Sequence, residues 1–172
     1  MTMNIAITGH TTGLGKSLFD FYTNQGHYVT GFSRSNDFDL RNWDRMQALI
    51  DATEFYDLIF SNAKPDFFQT VFLYEFARRE KFNSKIVSIG SRIIHVDVPN
   101  TLDIGINLYK TQKLALQNAH HQLIKRYQNF KSILIHPAHL YDNNVQNPNL
   151  IEWVKNMDDT ISMMAVGEIN LG

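Results

Sequence analysis

Apolar residues follow two alternating patterns along the chain. Short runs rich in β-branched and aromatic residues predict buried strands, and apolar residues spaced three or four positions apart predict helices. The predicted strands cover 3–7, 27–33, 56–61, 85–91, 131–137 and 168–171, with a very short one at 37–40. The predicted helices run from residue 14 to a stop at Gly26 and cover 41–52, 66–81, 107–127, 150–157 and 158–166, with loops at 92–106 and 142–149.

This alternation predicts an α/β fold, a Rossmann-like doubly wound parallel sheet with helices on both faces, in three layers (α/β/α). The chain length suits one core, so we expect residues 1–172 to form a single domain. Ligands of such folds bind at the carboxyl ends of the strands. Because Ser61-Asn62, Gly90-Ser91 and Pro137 stand at such ends, we expect the functional site there.

The predicted helix 66–81 carries more apolar residues than contact with one sheet can bury. These residues are Phe67, Phe68, Val71, Phe72, Leu73 and Phe76. Either this helix is unusually enclosed within the chain, or its second face packs on a partner subunit. We expect the second arrangement, a homodimer or homotetramer in which 66–81 and 107–127 form the interface. The expected buried stripe of 107–127 consists of Leu108, Ala115, Ala119 and Leu123.

Composition narrows the function classes. Hydrophobic residues make up 44% and charged residues 19%, and the net charge of −1 offers no excess of positive charge for nucleic acid or an anionic membrane. The absence of cysteine excludes disulfides, thiolate metal sites and cysteine nucleophiles, and fits a reducing cytoplasm. No apolar run approaches the roughly 20 residues of a membrane span. The first strand begins so early that we expect no signal peptide.

No metal site is expected either. His120 and His121 are adjacent on a predicted helix, where neighbouring side chains point about 100° apart. We therefore expect them to be surface or interface histidines rather than metal ligands. The composition, the absence of cysteine and the lack of a long apolar run predict a soluble cytoplasmic protein.

Residues 8–15, Thr-Gly-His-Thr-Thr-Gly-Leu-Gly, link the first strand directly to the first helix. Glycines let the backbone turn tightly and approach phosphate oxygens, and the N–H groups at a helix start attract negative charge. The segment therefore predicts a diphosphate site. The alternative is a turn whose glycines serve only its geometry. Within this turn, we expect the His10 side chain to face solvent rather than phosphate.

The second strand ends in Ser33-Arg34-Ser35, without a carboxylate. In a dinucleotide-binding fold this end lies beside the adenosine ribose, where an acidic residue binds the 2′-hydroxyl and an arginine suits a 2′-phosphate. Ser33 and Arg34 therefore predict NADP as the cofactor, with NAD as the alternative. Otherwise Arg34 is an ordinary surface arginine in a turn.

Tyr109 and Lys113 lie four residues apart on the longest predicted helix and so share a face. An ammonium beside a phenol lowers the tyrosine pKa, which suits proton exchange with a carbonyl or an alcohol. Ser91, at the mouth of the preceding strand, can donate a hydrogen bond to the substrate oxygen, whereas Ser88 lies within that strand.

These segments occur in the order found in the short-chain dehydrogenase/reductase (SDR) family, which the chain resembles. The matching residues are TGxxxGxG at 8–15, Asp39-Leu40, Asn62-Ala63, Ser91, YxxxK at 109–113, and His136-Pro137-Ala138-His139-Leu140 in place of the family's Pro-Gly segment. The resemblance implies an NAD(P)-dependent oxidoreductase that interconverts a carbonyl and an alcohol of a small molecule with a Ser-Tyr-Lys centre. It also implies a dimer interface formed by helices 66–81 and 107–127.

The resemblance further implies which residues contact the cofactor. The glycine turn would contribute Gly9, Thr11, Thr12, Gly13, Leu14 and Gly15. The region after the second strand would contribute Ser33, Arg34, Asp39 and Leu40, with the Asp-Leu pair against the adenine. Later segments would contribute Asn62, Ala63, Lys64, Pro137, His139 and Leu140. Tyr109 and Lys113 would serve both catalysis and cofactor binding.

The chain departs from the family pattern in four respects. Lys64 replaces a glycine, only 28 residues separate Asn62 from Ser91, and the segment after Pro137 is short, which predicts an open site. The family's fourth catalytic residue, a helix asparagine, has no counterpart in 66–81, and Gln69 is not assigned that role. These departures motivate an alternative function, a non-catalytic dinucleotide-binding regulatory or sensor protein of the same fold.

Overall fold

The structure, a computed structural model, describes residues 1–63, 66–79, 83–96, 104–137, 141–142, 145–146, 150–164 and 166–171. Its strands are β1 (Asn4–Thr8), β2 (Tyr28–Phe32), β3 (Leu58–Ser61), β4 (Lys85–Ile89), β5 (Ser132–Pro137), β6 (Tyr141–Asp142), β7 (Val145–Gln146) and β8 (Gly167–Leu171). Its α-helices are α1 (Gly13–Asn24), α2 (Trp43–Ala52), α3 (Phe68–Arg78), α4 (Ile104–Arg126) and α5 (Leu150–Met163). Short 3-10 helices cover Arg34–Asn36, Thr53–Phe55 and Arg92–His95.

The main sheet has six parallel strands in the order β2-β1-β3-β4-β5-β8. The chain leaves β1 in one direction to form β2 and then returns to the other side of β1 with β3. This reversal opens a crevice at the carboxyl ends of β1 and β3, where doubly wound folds bind ligands. The predicted Rossmann-like parallel sheet is confirmed.

Two apolar cores flank this sheet and make three layers. Helices α1 and α5 cover one face, with buried residues that include Leu18, Tyr22, Val154 and Met157. Helices α2, α3 and α4 cover the other, with buried residues that include Met46, Leu49, Phe72, Phe76, Leu116 and Leu123. Each helix contributes residues at the predicted helical spacing, so the periodicity of the sequence maps onto the faces that pack on the sheet.

The predicted strand at 37–40 is wrong. Asp37 has a φ of 68°, in the left-handed region, and the Phe38 backbone N–H donates to the Ser33 carbonyl at 2.9 Å. The chain therefore turns back instead of extending. Phe38 packs its ring against Phe32, with centroids 4.8 Å apart, and Leu40 is buried in the α2–α4 core. Residues 37–40 add no strand beyond β2, which lies at the sheet's edge.

Three further predicted segments also differ from the structure. The predicted helices 150–157 and 158–166 are one continuous helix, α5, because Val154, Met157 and Ile161 keep helical spacing across the predicted break and are all buried. The predicted loop 92–106 contains the 3-10 helix Arg92–His95, and α4 begins at Ile104 within it. The predicted loop 142–149 overlaps the short antiparallel pair β6–β7.

The buried stripe of α4 is displaced from the prediction. Ala119 and Leu123 are buried, but Leu108 is 46% exposed and Ala115 is only half-buried. His120 is completely buried, so its predicted surface position is wrong. Its Nδ1 lies 2.9 Å from the Ser132 Oγ, and burial lowers the pKa of His120 to about 4, with the neighbouring His121 adding to the effect.

Helix α3 covers most of its apolar residues within the chain itself. Phe68, Phe72, Leu73 and Phe76 are buried, whereas Phe67 and Val71 remain exposed. The buried rings form a row with centroid separations of 5.5 Å from Phe68 to Phe72 and 6.4 Å from Phe72 to Phe76.

Among the described helices, none is both long and apolar enough to cross a membrane.

Candidate active site

The glycine turn between β1 and α1 uses backbone angles that favour glycine. Gly9 and Gly13 have φ values of 70° and 59°, in the left-handed region. The Gly9 N–H donates to the Phe32 carbonyl at 2.8 Å, which ties the turn to the end of β2. A Cβ on Gly15 would collide with the Gly9 carbonyl and would lie 2.6 Å from the Asn62 Nδ2. Gly9 and Gly13 therefore supply backbone angles that the turn requires, and Gly15 permits a close approach to the backbone of Gly9.

The start of α1 suits an anion. Its N-cap, Thr12, makes no side-chain capping bond, and the first turn has no acidic residue. Thr11 and Thr12 are exposed beside it, whereas Leu14 is buried and contributes to the core. Backbone N–H groups at a helix start and the positive end of its dipole attract phosphate oxygens. The geometry of the turn therefore agrees with the predicted diphosphate site.

Thr8 holds the two strand ends that border this crevice. Its buried hydroxyl accepts hydrogen bonds from the N–H groups of Asn62 at 2.9 Å and Ala63 at 3.0 Å, and donates to the Phe60 carbonyl at 3.3 Å. The Asn62 amide also donates to the Gly9 carbonyl at 3.3 Å. Thr8 is the first residue of TGxxxGxG, but its sequence context predicts no role for it. Lys64, which is also predicted to contact the cofactor, lies outside the described residues.

His10 does not face solvent as predicted. Its ring fills the space above Gly31, where a Cβ would collide with the imidazole, and its centroid lies 5.3 Å from that of Phe19. Burial lowers the pKa of His10, while a hydrogen bond with the Phe32 backbone opposes this. The His10 ring thus packs between the glycine turn and β2.

The segment after β2 is ordered by Asn36. Its Oδ1 accepts the Ser33 N–H at 2.8 Å, and its Nδ2 donates to the Gly31 carbonyl at 2.6 Å. The hydroxyls of Ser33 and Ser35 lie 2.7 Å apart. Arg34 is exposed on this short turn, and its guanidinium makes no ion pair with any residue that the structure describes. The Asp39 carboxylate interacts with it electrostatically but forms its ion pair with Arg41, so the Arg34 guanidinium keeps donors for an external anion.

Asp39 and Leu40, which are predicted to lie against the adenine, contact other residues of the chain. Asp39 pairs with Arg41 through Oδ2 and Nη2 at 2.6 Å, and this partner holds the pKa of Asp39 at about 2. Leu40 is buried in the core. The ion pair and the core contacts therefore engage both side chains within the chain.

Lys113 is buried and held by two oxygen acceptors. Its Nζ donates to the Gln69 Oε1 at 2.6 Å and to the Ile89 carbonyl at 2.7 Å. Gln69 in turn donates from Nε2 to the carbonyls of Ser61 and Ile89. Its amide therefore connects the ends of β3 and β4 to α4. A buried ammonium without such partners would be very costly, so these contacts explain why the lysine is tolerated here.

Gln69 is the residue that sequence reasoning left unassigned. It stands on the first turn of α3, the helix in which the resemblance would place an asparagine, and one amide contacts both strand ends and Lys113. The signal in the sequence was an amide side chain in the first turn of this helix, four residues after the Lys-Pro pair. The signal was weak because the residue is a glutamine rather than an asparagine, and because its alignment with the family's asparagine was uncertain.

Tyr109 and Ser91 lie at the same edge of the sheet as Lys113. The Lys113 Nζ is 5.6 Å from the centre of the half-buried Tyr109 ring. Ser91 follows β4 directly and is half-buried, whereas Ser88 lies inside β4 and is fully buried. The Ser91 Oγ accepts the Ile93 N–H at 3.3 Å and so starts the 3-10 helix against which α4 packs.

Pro137 ends β5 one strand further along the sheet, opposite Leu171 of β8. His139 and Leu140, predicted to follow it beside the nicotinamide, lie outside the described residues. The described carboxyl ends of β1, β3, β4 and β5 therefore gather the glycine turn, Asn62, Ser91 and Pro137 along one edge, with α4 beside them. No group of three or more histidine, aspartate or glutamate side chains in the described ranges is arranged to hold a metal ion.

Comparisons with known proteins by sequence find no match, whereas comparisons by structure do. No protein-family model matches the chain, and no curated protein matches it. Solved structures match with high probability over almost the whole chain.

A short-chain dehydrogenase from Streptomyces avermitilis aligns over 100% of this chain and 89% of its own, at 15% identity and a TM-score of 0.74. A carbonyl reductase from Pseudomonas aeruginosa PAO1, solved in complex with NADP, aligns over 99% and 95%, at 14% identity and 0.72. An alcohol dehydrogenase from the archaeon Thermococcus sibiricus, complexed with 5-hydroxy-NADP, aligns over 99% and 96%, at 11% identity and 0.76. The predicted resemblance to short-chain dehydrogenases is thus confirmed in the fold.

Proposed function

We propose that the protein is an NAD(P)-dependent oxidoreductase that interconverts a carbonyl and an alcohol of a small molecule, with NADP preferred. The observation that carries this proposal is the buried Lys113. Its ammonium is held at the ends of β3 and β4, 5.6 Å from the Tyr109 ring and on the sheet edge that also bears the glycine turn. The dehydrogenases and reductases that share the fold support the same chemistry.

The dinucleotide would bind along the carboxyl ends of the strands. Gly9, Gly13 and Gly15 would let its diphosphate approach the start of α1, where backbone N–H groups stabilise negative charge. Arg34, exposed on the turn ordered by Asn36, would bind a 2′-phosphate with the neighbouring serine hydroxyls. The bound nicotinamide supplies or accepts the hydride.

The protein's own residues would handle the proton. In the reducing direction Tyr109 gives its phenolic proton to the carbonyl oxygen as hydride reaches the carbon, and in the oxidising direction it takes the proton back. The positive charge of Lys113 stabilises negative charge on the phenolic oxygen. Ser91 uses its Oγ as an acceptor for the Ile93 N–H, so its hydroxyl hydrogen is free to donate to the substrate oxygen.

Tyr109→Phe tests this assignment because it removes only the hydroxyl. The purified protein should oxidise NADPH in the presence of a carbonyl from a broad panel, and Tyr109→Phe should lower kcat by about 10²–10⁴-fold. Calorimetry should give an unchanged NADP Kd. Tyr28→Phe, at a 72% exposed tyrosine of β2, is the matched control and should behave as the wild type. Equal turnover by Tyr109→Phe would refute the role of Tyr109.

The NADP preference has its own test in Arg34→Ala. The Kd for NADP should rise by about tenfold, since one charge-assisted contact is lost, while that for NAD should not change. A parallel change in both values would show that Arg34 does not read the 2′-phosphate.

A second candidate function is a non-catalytic dinucleotide-binding regulator. It is favoured by the contacts of Lys113, whose amino group already donates to two protein oxygens. This candidate predicts binding of NADP or NAD without turnover of any carbonyl or alcohol in the panel. The absence of binding to either dinucleotide would refute both candidates.

We also propose that the chain forms a homodimer or homotetramer through α3 and α4. Aliphatic and phenylalanine side chains at least 38% exposed on these helices and at the N-cap of α3 are Phe67, Val71, Ile104, Ile106 and Leu108. Their burial against a second copy would remove apolar surface from water at about 25 cal/mol per Å². Light scattering at micromolar concentration should give a mass of at least two chains, and Val71→Lys should reduce it. A folded wild-type monomer would contradict this assembly.

A further inference from the structure

His136 lies fully buried between the ends of β4 and β8. Its Nδ1 is 3.2 Å from the backbone nitrogen of Ser91, and its Nε2 is 2.8 Å from the Oε1 of Glu168. A Cβ on Gly90 would lie 2.5 Å from the Nδ1, so the ring can approach this peptide only because residue 90 is glycine. The imidazole therefore joins a carboxylate to the backbone of the proposed oxyanion donor.

The carboxylate determines which ring nitrogen carries the hydrogen. The Nε2 lies 2.8 Å from Glu168, a contact close in distance but outside hydrogen-bond geometry, and an ionised carboxylate offers it only lone pairs, so hydrogen on Nε2 is the favoured arrangement. The Nδ1 of a neutral ring then accepts the Ser91 N–H, whereas with hydrogen on Nδ1 it would donate to the Ser91 carbonyl oxygen, also 3.2 Å away. In the opposite tautomer, a lone pair on Nε2 would face a lone pair on the Glu168 carboxylate oxygen. Burial lowers the pKa of His136, although Glu168 and a hydrogen bond with the Ser91 backbone oppose this, so the net effect favours the neutral ring.

Glu168 is itself held by the helix that carries Tyr109 and Lys113. Gln117 donates to its Oε1 at 2.8 Å, and His121 Nε2 lies 2.6 Å from its Oε2. Burial alone would raise the pKa of Glu168, but these hydrogen bonds outweigh it and keep the pKa below its ordinary value. The contacts run from α4 through β8 and β5 to the end of β4.

We propose that His136 is a positioning residue for Ser91: oriented by Glu168, it accepts the Ser91 N–H and sets where the Ser91 hydroxyl stands relative to Tyr109. This inference rests on the proposed function. Because the Ser91 Oγ also accepts the Ile93 N–H, the direction of its remaining hydrogen follows from the placement of the backbone. Among the described residues, the titratable groups around the ring are Glu168 from β8, His120 and His121 from α4, and His95 from the 3-10 turn.

The tautomer can be measured without cofactor or substrate. Nitrogen-15 NMR of histidine-labelled protein at neutral pH, assigned by comparison with His136→Asn, should show hydrogen on Nε2 and none on Nδ1. In Glu168→Gln the amide can either donate or accept, so signals of both tautomers should be seen. A wild-type ring with hydrogen on Nδ1 would overturn the proposal.

Turnover separates positioning from a purely structural role. His136→Leu should lower kcat by about ten- to a hundredfold, the loss expected from misplaced catalytic groups, with an unchanged NADP Kd. His136→Asn, whose amide oxygen can replace the Nδ1, should recover most of the loss. His120→Asn removes another buried imidazole from the same layer and should keep wild-type kcat.

Each other outcome is decisive. A folded His136→Leu with wild-type kcat, or equal losses in His136→Leu, His136→Asn and His120→Asn, would overturn the positioning role. If His136→Leu does not fold, Glu168→Gln carries the kinetic test, with the same expected direction, and wild-type kcat there would overturn the role. A wild-type protein without turnover would refute the proposed function and with it positioning for catalysis. The NMR result would then test only the hydrogen bond from the Ser91 N–H to the His136 Nδ1.

Discussion

The two faces of the sheet are filled with different chemistry. On the α1–α5 face the buried strand residues are apolar: Ile5, Ile7, Leu58, Phe60, Val87, Ile89, Ile133 and Ile135. Strand side chains alternate between faces, so the other face receives Thr8 with Ala6, Ser61 with Ile59, Ser88 with Ile86, and His136 with Leu134. These four polar residues all stand at or near the carboxyl ends of their strands.

This difference separates stability from function. A buried polar group is costly unless it is hydrogen-bonded, so an apolar face is the simpler way to stabilise a sheet. The α2–α4 face accepts Gln69, Lys113, His120 and His136 among its buried groups. Gln69, Lys113 and His136 lie where the strands end, whereas His120 contacts Ser132 at the start of β5. The α1–α5 face has a polar pair at Tyr22, whose hydroxyl donates to Asp158 at 2.7 Å, and burial raises the pKa of Tyr22.

The largest expected effect is that of Lys113→Met on the polar face. The unbranched side chain preserves much of the volume but leaves the Gln69 Oε1 and the Ile89 carbonyl without this donor. We expect kcat to fall by about 10²–10⁴-fold. Lys110→Met, on the same helix and bonded to the Val96 carbonyl, is the matched control and should retain kcat. Full activity in folded Lys113→Met would place the chemistry elsewhere.

A smaller effect on stability should appear in acid. Burial holds the pKa of His120 at about 4, below the ordinary 6.5, so the folded protein binds fewer protons than the unfolded chain between these values. The stabilisation is complete above pH 6.5 and is lost as the pH falls towards 4, on the order of 3 kcal/mol in all. Urea unfolding at pH 7 and pH 4.5 measures it. His120→Asn should reduce this dependence, and an unchanged slope would contradict the assignment.

The smallest effect is expected on the apolar face. Tyr22→Phe removes the hydrogen bond to Asp158 and should lower the free energy of unfolding by about 1 kcal/mol. Turnover and the NADP Kd should stay at wild-type values, because Tyr22 packs between α1 and α5 rather than at the strand ends. A loss of turnover in a folded Tyr22→Phe would show that both faces support the site.

The sequence predicted the parts of the site that depend on local geometry. Gly9, Gly13 and Gly15 were identified because a tight turn before a helix restricts residue choice, and Tyr109 and Lys113 because a helix brings positions four apart together. Residues 37–40, Asp-Phe-Asp-Leu, were misjudged as a strand because two apolar residues in alternation are too few to distinguish a strand from a turn that packs both on the core. Leu108 was misjudged because the first turns of α4 extend beyond the core.

By itself, the sequence determined the alternation of strands and helices, the Rossmann-like class and the glycine turn, since each follows from spacing within a few residues. Only the tertiary structure decided that Gln69 meets Lys113, 44 positions away, and that His136 meets Ser91, 45 positions away. The physical reason is the order of the strands. Which strand ends are neighbours depends on how the whole sheet is assembled, and hydrogen-bond partners across those ends follow from that order.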